Sequence, residues 1–540
     1  MALIRLAAGL MTAALLALSG VASAHEERPT EFPDGSGSIP RYRSMISKPY
    51  LVVCKKGSGR RIREIGNRGL RQTNRKLLER CDFRHVQDAV NAVKRPGTTI
   101  YVLPGTYREN PIRNSPRCEK SLGPRPRSYE EQLSCPHAEN LIGVFGDINP
   151  GDDKRKCDAA VCDLQIEGTG AQPEDVVVTG GFDKKGNWAK LNGIRGDRSD
   201  GLYLKNFTVE LFEFNAIYII ETDGFVIDEV VARYNDEYGY LTYAVDHGVH
   251  KDCEAYRNGE AAVYPGSASD LNGESDKTGP LKKVAVEITR CSFHHSTLGM
   301  AGTAGNSLHV HDNDFFKNSA GVTVDSFFPN HPGLPQNHGW FEDNRIYSNN
   351  ENYFEKYLYE GVCDKKPAKR GIKGKGTICP VVPAPVGTGL LIAGGSHNYV
   401  INNTVYDNWR AGMMMFGVPA FFREDFDPSN QFDTSNSNFF VANLMGVGPG
   451  GKKLPNGIDF WWDDQGENNC WSKNKSGSEE TTSNTMYPGG LPDCDSGGSA
   501  FVPLNPYKQG PLVPCGTYNR DDPIFRRPPG CTWMSTPDKP

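Results

Sequence analysis

The sequence predicts an all-β solenoid whose coils each carry about 22 residues and three short strands. Three observations lead there. One pattern recurs: "LHVHDNDFFKNSAGVTV" (308–324) is matched by "HKDCEAYRNGEAAVYPG" (250–266), "VEITRCSFHHSTLGMAG" (286–302), "FEDNRIYSNN" (341–350) and "VINNTVYDNWRAGMMMF" (400–416), and more loosely by 223–243. Each copy breaks its alternation at one place, held in three of them by Asn313, Asn344 or Asn403, a residue type that bonds its own backbone and tolerates a left-handed bend. A small residue opens the last strand of each unit, at Ala216, Gly239, Ala261, Gly299, Gly321 and Gly412, and three of these steps are 22 or 23 residues.

No such coil can bury its apolar side alone, so the core must come from stacking each strand on its counterpart ~4.8 Å away. Alternation then turns Leu308 and Val310 inward and displays His309 and His311. A repeat architecture also removes the usual reason to divide a chain of 540 residues into several domains.

Taken in order, residues 1–24 pair one Arg with an apolar run and end Ala-Ser-Ala, the pattern of a cleaved secretory leader. Fourteen cysteines in an exported chain read as disulfides, with short-range pairs at Cys118/Cys135, Cys157/Cys162, Cys363/Cys379, Cys470/Cys494 and Cys515/Cys531. In the aligned coils Cys253 and Cys291 stack, which predicts a bridge between neighbours. Residues 25–82 form a basic segment, with only Glu64 and Glu79 as acids between 41 and 80, although the net charge is −5. The β-helical coils are expected over 83–450 and a Cys-rich cap over 451–540. No zinc spacing, membrane span or nucleic-acid motif is present in the sequence, and a monomer is expected.

The stretch "FRHVQDAVNAVKRPGTTIYVLPGTYREN" (83–110) reads as a helix, a Pro-Gly turn and a strand, with Val86, Ala89, Val90 and Val93 on one helical stripe. With the coils it resembles the pectin-lyase-like superfamily. That resemblance implies a right-handed parallel β-helix with an N-terminal helical cap. Members act mostly on acidic polysaccharides as lyases, esterases, hydrolases or C5-epimerases, and others are non-catalytic surface proteins. The motifs of pectate lyases and polygalacturonases are absent. "YLTYAVDHGVHKD" (240–252) is a partial match to the Asp-Pro-His motif of alginate lyases and mannuronan C5-epimerases, offering Asp246 and His247 without the proline.

Four insertions, at 265–283, 327–339, 353–395 and 417–436, are expected to leave one edge of the solenoid and wall a groove. Proton removal at C5 of a uronate needs a group to neutralise the carboxylate, a base and an acid. Tyr243, Asp246, His247 and Asp325 are the candidate catalytic residues. Lys365, Lys366, Lys369 and Arg370, between Cys363 and Cys379, with His331 and His338, are the candidate substrate-binding residues. Glycoside hydrolysis would instead pair Asp325 with Glu424 or Asp425. No metal site is assigned, though calcium on the acidic loop "DLNGESD" (270–276) is one option and the cofactor stays open. Trp461 and Trp462 are either part of the cap or a sugar platform. The reading is a secreted lyase or epimerase on an acidic polysaccharide, with a non-catalytic glycan- or surface-polymer-binding protein as the alternative.

Overall fold

The computed structural model describes residues 30–109, 139–146, 157–273, 279–503 and 505–540. The leader and the Cys118/Cys135 pair lie outside these residues, as does part of the loop proposed for calcium.

Among the described residues, 32 strands form three parallel sheets of 12, 10 and 10 strands. Sheet I starts at Tyr50–Val53 and ends at Cys470–Ser472; each of its strands between these two feeds one of sheet II, then one of sheet III, and the chain returns to sheet I one coil on. This is a right-handed parallel β-helix. The inward side chains, among them Val310, Phe315, Val322, Val400, Val405 and Met413, form one continuous core. The helix Val86–Asn91 lies against its first coil with Val86, Ala89, Val90 and Val93 buried in that core. Two further helices, Ser58–Glu64 and Arg68–Arg80, pack beside the first strand, and a Cys54–Cys81 disulfide that the sequence reading missed ties them to it.

The corners hold the stack together. Between sheets I and II, each Asn side chain of the run Asn313, Asn344, Asn403, Asn443, Asn474 accepts a backbone N–H from the preceding coil and donates to a carbonyl of it. Asn318, Asn349, Asn408 and Asn456 do the same between sheets II and III; in the earlier coils Asn235, Asn258 and Ser296 accept the backbone N–H there. Cys253 and Cys291 take the first-corner position in adjacent coils and are bridged, Cα atoms 4.5 Å apart. The small residues at the start of sheet III sit under the next coil: a Cβ on Gly239 would lie 2.4 Å from the Ala262 carbonyl oxygen. By register the position is Ala262, not Ala261, and it includes Gly389, which a long insertion hid from the repeat.

Three expectations are corrected. Insertions at 267–285, 326–338 and 417–438 leave the corner between sheets III and I, but the long one follows Arg345–Tyr347 of sheet II and rejoins at Thr388–Ala393 of sheet III. The long insertion therefore interrupts a coil between sheets II and III and does not share the edge of the other three. The coils also run past 450, since Phe460–Trp462 and Cys470–Ser472 extend sheets III and I, and Trp462 is a core residue rather than a platform. Finally, the outer face of sheet III is no open channel. The 353–386 insertion and the C-terminal segment cover it, packing Phe354, Leu358, Tyr518 and Met534 against Tyr218, Leu241, Tyr243 and Tyr264. Tyr518 Oη donates to the Pro380 carbonyl at 2.9 Å, and the Cys515–Cys531 disulfide closes that segment.

Because each corner amide serves two coils, replacing Asn403 by Ala leaves the Asn344 N–H and the Phe341 carbonyl without partners. The variant should lose about 3 kcal/mol in urea unfolding, against less than about 0.5 kcal/mol for the exposed Lys452→Ala.

Candidate functional site

The corner between sheets III and I carries a second kind of row. At the start of sheet I, register aligns Asp200, two residues before its strand, with Asp223 and Asp246, which open theirs, in consecutive coils. Farther along, Asn306, Asn337, Ser396 and Asn436 hold the same position. The job is shared: Asp223 N–H donates to Asp200 Oδ1 at 2.8 Å, as Asn337 N–H donates to Asn306 Oδ1 at 2.7 Å. A neutral amide therefore suffices for the fold, yet three successive coils place carboxyls there, one inter-strand spacing apart. Burial is the first cause that raises Asp200, to about 6, and Asp246; neighbouring carboxylates add to it.

His247, second residue of the sheet I strand Asp246–Lys251, is turned onto this row. Its backbone is left-handed, φ 50°, and its N–H donates to Asp246 Oδ1 at 2.7 Å. Its Nδ1 lies 2.7 Å from Asp223 Oδ1 and 3.4 Å from Asp246 Oδ1, while the side chain is 32% exposed. One nitrogen is thus fixed by a carboxylate and the ring still reaches solvent, the arrangement a general base requires. An N-terminal arm lies over the row: Gly37 N–H donates to Asp223 Oδ2 at 2.6 Å and Glu31 N–H to Glu221 at 2.8 Å. A Cβ on Gly37 would fall 2.4 Å from Asp223 Cγ, so only glycine lets the arm come this near.

The other two candidate catalytic residues sit apart from His247, on the covered face of sheet III. Tyr243 is 1% exposed, its ring edge-on to His331 at 5.4 Å. His331 Nε2 lies 3.1 Å from Tyr264 Oη. Asp325, 9% exposed, accepts from Thr303 Oγ1 at 2.7 Å and Phe327 N–H at 3.0 Å. Tyr238 donates to Glu260 beside them. Burial governs the whole group: Asp325 rises to about 6, Glu260 to about 7, and His331 falls to about 4.

The candidate binding residues are dispersed. His338 is buried, stacked on His397 at 5.0 Å, with Nδ1 3.6 Å from Asp270. The disulfide loop runs along the corner between sheets II and III: Arg370 pairs with Asp236 at 2.9 Å, Lys366 donates to the Lys185 carbonyl at 3.0 Å, and Lys365 and Lys369 are exposed. Asp425 is bonded within its own loop to Asn430 at 2.8 Å. His309 and His311 stack on the outside of sheet I at 4.1 Å, and His311 lies 3.0 Å from Glu287. Among the described residues no group of three or more His, Cys, Asp or Glu is arranged to hold a metal ion. Sequence reasoning missed Asp200 and Asp223. Counting back one coil of 23 residues from Asp246 and then another would have found both.

Three corner-lined parallel sheets define the class: this is a right-handed parallel β-helix solenoid. Similar solved structures include the A-module of the Azotobacter vinelandii mannuronan C-5 epimerase AlgE6 (14% identity, 74% of this chain and 94% of that chain, TM-score 0.33). Others are pectate lyase Pel9A (13%, 72% and 72%, 0.29) and PfbA, a surface adhesin of Streptococcus pneumoniae (10%, 71% and 81%, 0.36). At these identities and scores they carry no argument about the site. No family model and no curated protein matches the chain.

The pH dependence of stability tests the buried face. Asp325 is raised in the folded chain, so its contribution is complete below the ordinary carboxyl range and is lost as pH rises through about 6. Asp325→Asn keeps the acceptor oxygen. It should gain up to ~3 kcal/mol over the parent at about pH 8 and nothing at about pH 3.5, read from denaturation midpoints.

Proposed function

We propose that the chain is a secreted carbohydrate-active protein that moves the C5 proton of uronate residues in an acidic polysaccharide, as a lyase or C5-epimerase. The observation that supports this most is the His247–Asp223 pair on a row of carboxyls that the fold itself does not need. In this reading His247 takes the C5 proton, and Asp223 holds the imidazole in place. Asp246, kept toward its protonated form by burial, donates a hydrogen bond to the uronate carboxylate and stabilises the carbanion. A lyase then expels the O4 leaving group with a proton, and an epimerase returns a proton to the opposite face of the ring. In this reading the imidazolium of His247 returns its proton to O4 in the lyase and solvent water supplies the proton in the epimerase; Tyr243, buried on the covered face of sheet III, takes no part. Lys365 and Lys369 supply long-range attraction for a polyanion. The six disulfides among the described residues fit an oxidising, extracellular compartment, and no described helix is long and apolar enough to cross a membrane.

The burial of Tyr243, Asp325 and His331 under the chain's own segments favours a second reading, a protein that binds the glycan without reacting. One experiment separates them. Alginate, pectate, polyglucuronate and glycosaminoglycans are incubated with the protein, with ultraviolet absorbance for new unsaturated uronate ends and proton NMR for inverted C5 centres. Turnover of at least one polymer is expected, with a loss of about 10²- to 10⁴-fold in His247→Ala and at least about tenfold in Asp223→Asn. Silence in both assays with retained binding would establish the second reading. Full activity in both variants would remove the site from this corner.

A further inference from the structure

On the outside of sheet II the residues Tyr256, His294, Phe316, Tyr347 and Tyr406 occupy one register position in five successive coils. Their rings stack at 5.0, 4.8, 5.2 and 5.0 Å, with interplanar angles of 8°, 22°, 4° and 7°. All but Tyr406 remain part-exposed. Each ladder residue is followed by one with left-handed backbone at the corner to sheet III: Arg257, His295, Lys317, Ser348 and Asp407, with φ between 52° and 56°. Arg257 lies over the Tyr234 ring at 5.8 Å and Lys317 is exposed; neither forms an ion pair among the described residues. The basic disulfide loop adjoins Arg257, since a Cβ on Gly376 would come within 2.7 Å of its Cζ. The opposite margin of the same sheet is acidic. There Glu229, Asp252, Glu254, Asp312 and Asp314 line a depression of about 580 Å³ together with one cation, Arg290, which pairs with Asp252.

We infer that this face is a binding site for an extended, 1,4-linked acidic glycan lying along the solenoid axis against the Arg257–Lys317 margin. The inference deepens the proposed function and rests on its reading of the ligand as an acidic polysaccharide. The match is one of periods. A ribbon of 1,4-linked pyranoses advances by about one inter-strand spacing per ring, ~5 Å, and turns the same edge outward at every second ring, ~10 Å. Arg257 and Lys317 are two coils apart, so they meet the carboxylates of alternate sugars on one edge of the ribbon. The coil between them carries His295, which burial and the neighbouring His294 bring down to about 4, so it offers a neutral hydrogen-bonding edge where the ribbon presents none of those carboxylates. Because the ladder rings cover one another's faces, the ligand meets their edges and the Tyr347 hydroxyl. Stacking also fixes these groups, so little side-chain freedom is lost on binding. The acidic margin repels the polymer and fixes which side of the ladder it occupies.

The test is binding by titration calorimetry to uronate octamers from polymannuronate and polygalacturonate, with a neutral cellulose oligomer of equal length as reference. Wild-type protein should bind an acidic octamer and not the neutral one, more weakly as salt rises. The double variant Arg257→Glu/Lys317→Glu should lose at least tenfold in affinity, Arg257→Gln/Lys317→Gln somewhat less, and Tyr347→Phe, which keeps the stack, about threefold. Unchanged melting curves verify that each variant is folded. Equal affinity in wild type and both double variants, or no uronate binding by the wild type, would overturn the inference. Turnover plays no part in this readout. Ladder-dependent binding by a chain with no lyase or epimerase activity would keep the inference and drop the catalytic reading.

Discussion

Everything in this molecule depends on how a coil's bends are satisfied by its neighbour. A parallel strand pairs its own backbone, but a sharp corner turns N–H and C=O groups away from the sheets, into an interior where an unpaired group costs about 1–3 kcal/mol. Asparagine answers this because one short side chain both accepts and donates, and the chain places it at the corner of sheets I and II from Asn313 on, at that of sheets II and III from Asn235 on, and at the third in its later coils. The amide rows set the rise and the lateral register of the stack. That constancy aligns everything displayed on the outside, so the ladder on sheet II and the carboxyl row at the third corner are by-products of the same repeat.

The third corner departs from the rule in an informative way. Where Asn and Ser do the structural work in later coils, Asp200 does it in an earlier one, Asp223 and Asp246 repeat the carboxyl, and like charges at one inter-strand spacing repel. The chain meets this cost partly by burial toward the neutral form and partly by His247 and the N-terminal arm, which supply donors. A conflict between fold and charge that persists through three coils is the physical ground for looking for chemistry there. The buried face of sheet III makes the contrast: Tyr238 with Glu260, and Thr303 with Asp325, are satisfied internally and roofed by the C-terminal segment.

The periodic part of the structure was legible in advance. The three-strand unit, the outward His309 and His311, the buried stripe Val86–Val93 and the Cys253–Cys291 bridge all follow from a local period, because alternation and repeat length together fix which residues stack. Periodicity failed where an insertion interrupts a coil. The 40 residues between Tyr347 and Thr388 separate two strands of one coil, and no local signal tells such an insertion from one between coils.

The sequence by itself therefore determined the solenoid, its inside and outside, and the residue types at its corners, since these are properties of neighbours in the chain and of one repeat. Only the tertiary structure decided which outer face is open. Residues 505–540 have no period and run back along sheet III, held by Tyr518, Trp533 and the Cys515–Cys531 bridge, and thereby cover Tyr243 and Asp325. It also decided that His247 answers to Asp223, 24 residues earlier, because that contact exists only once two coils are stacked.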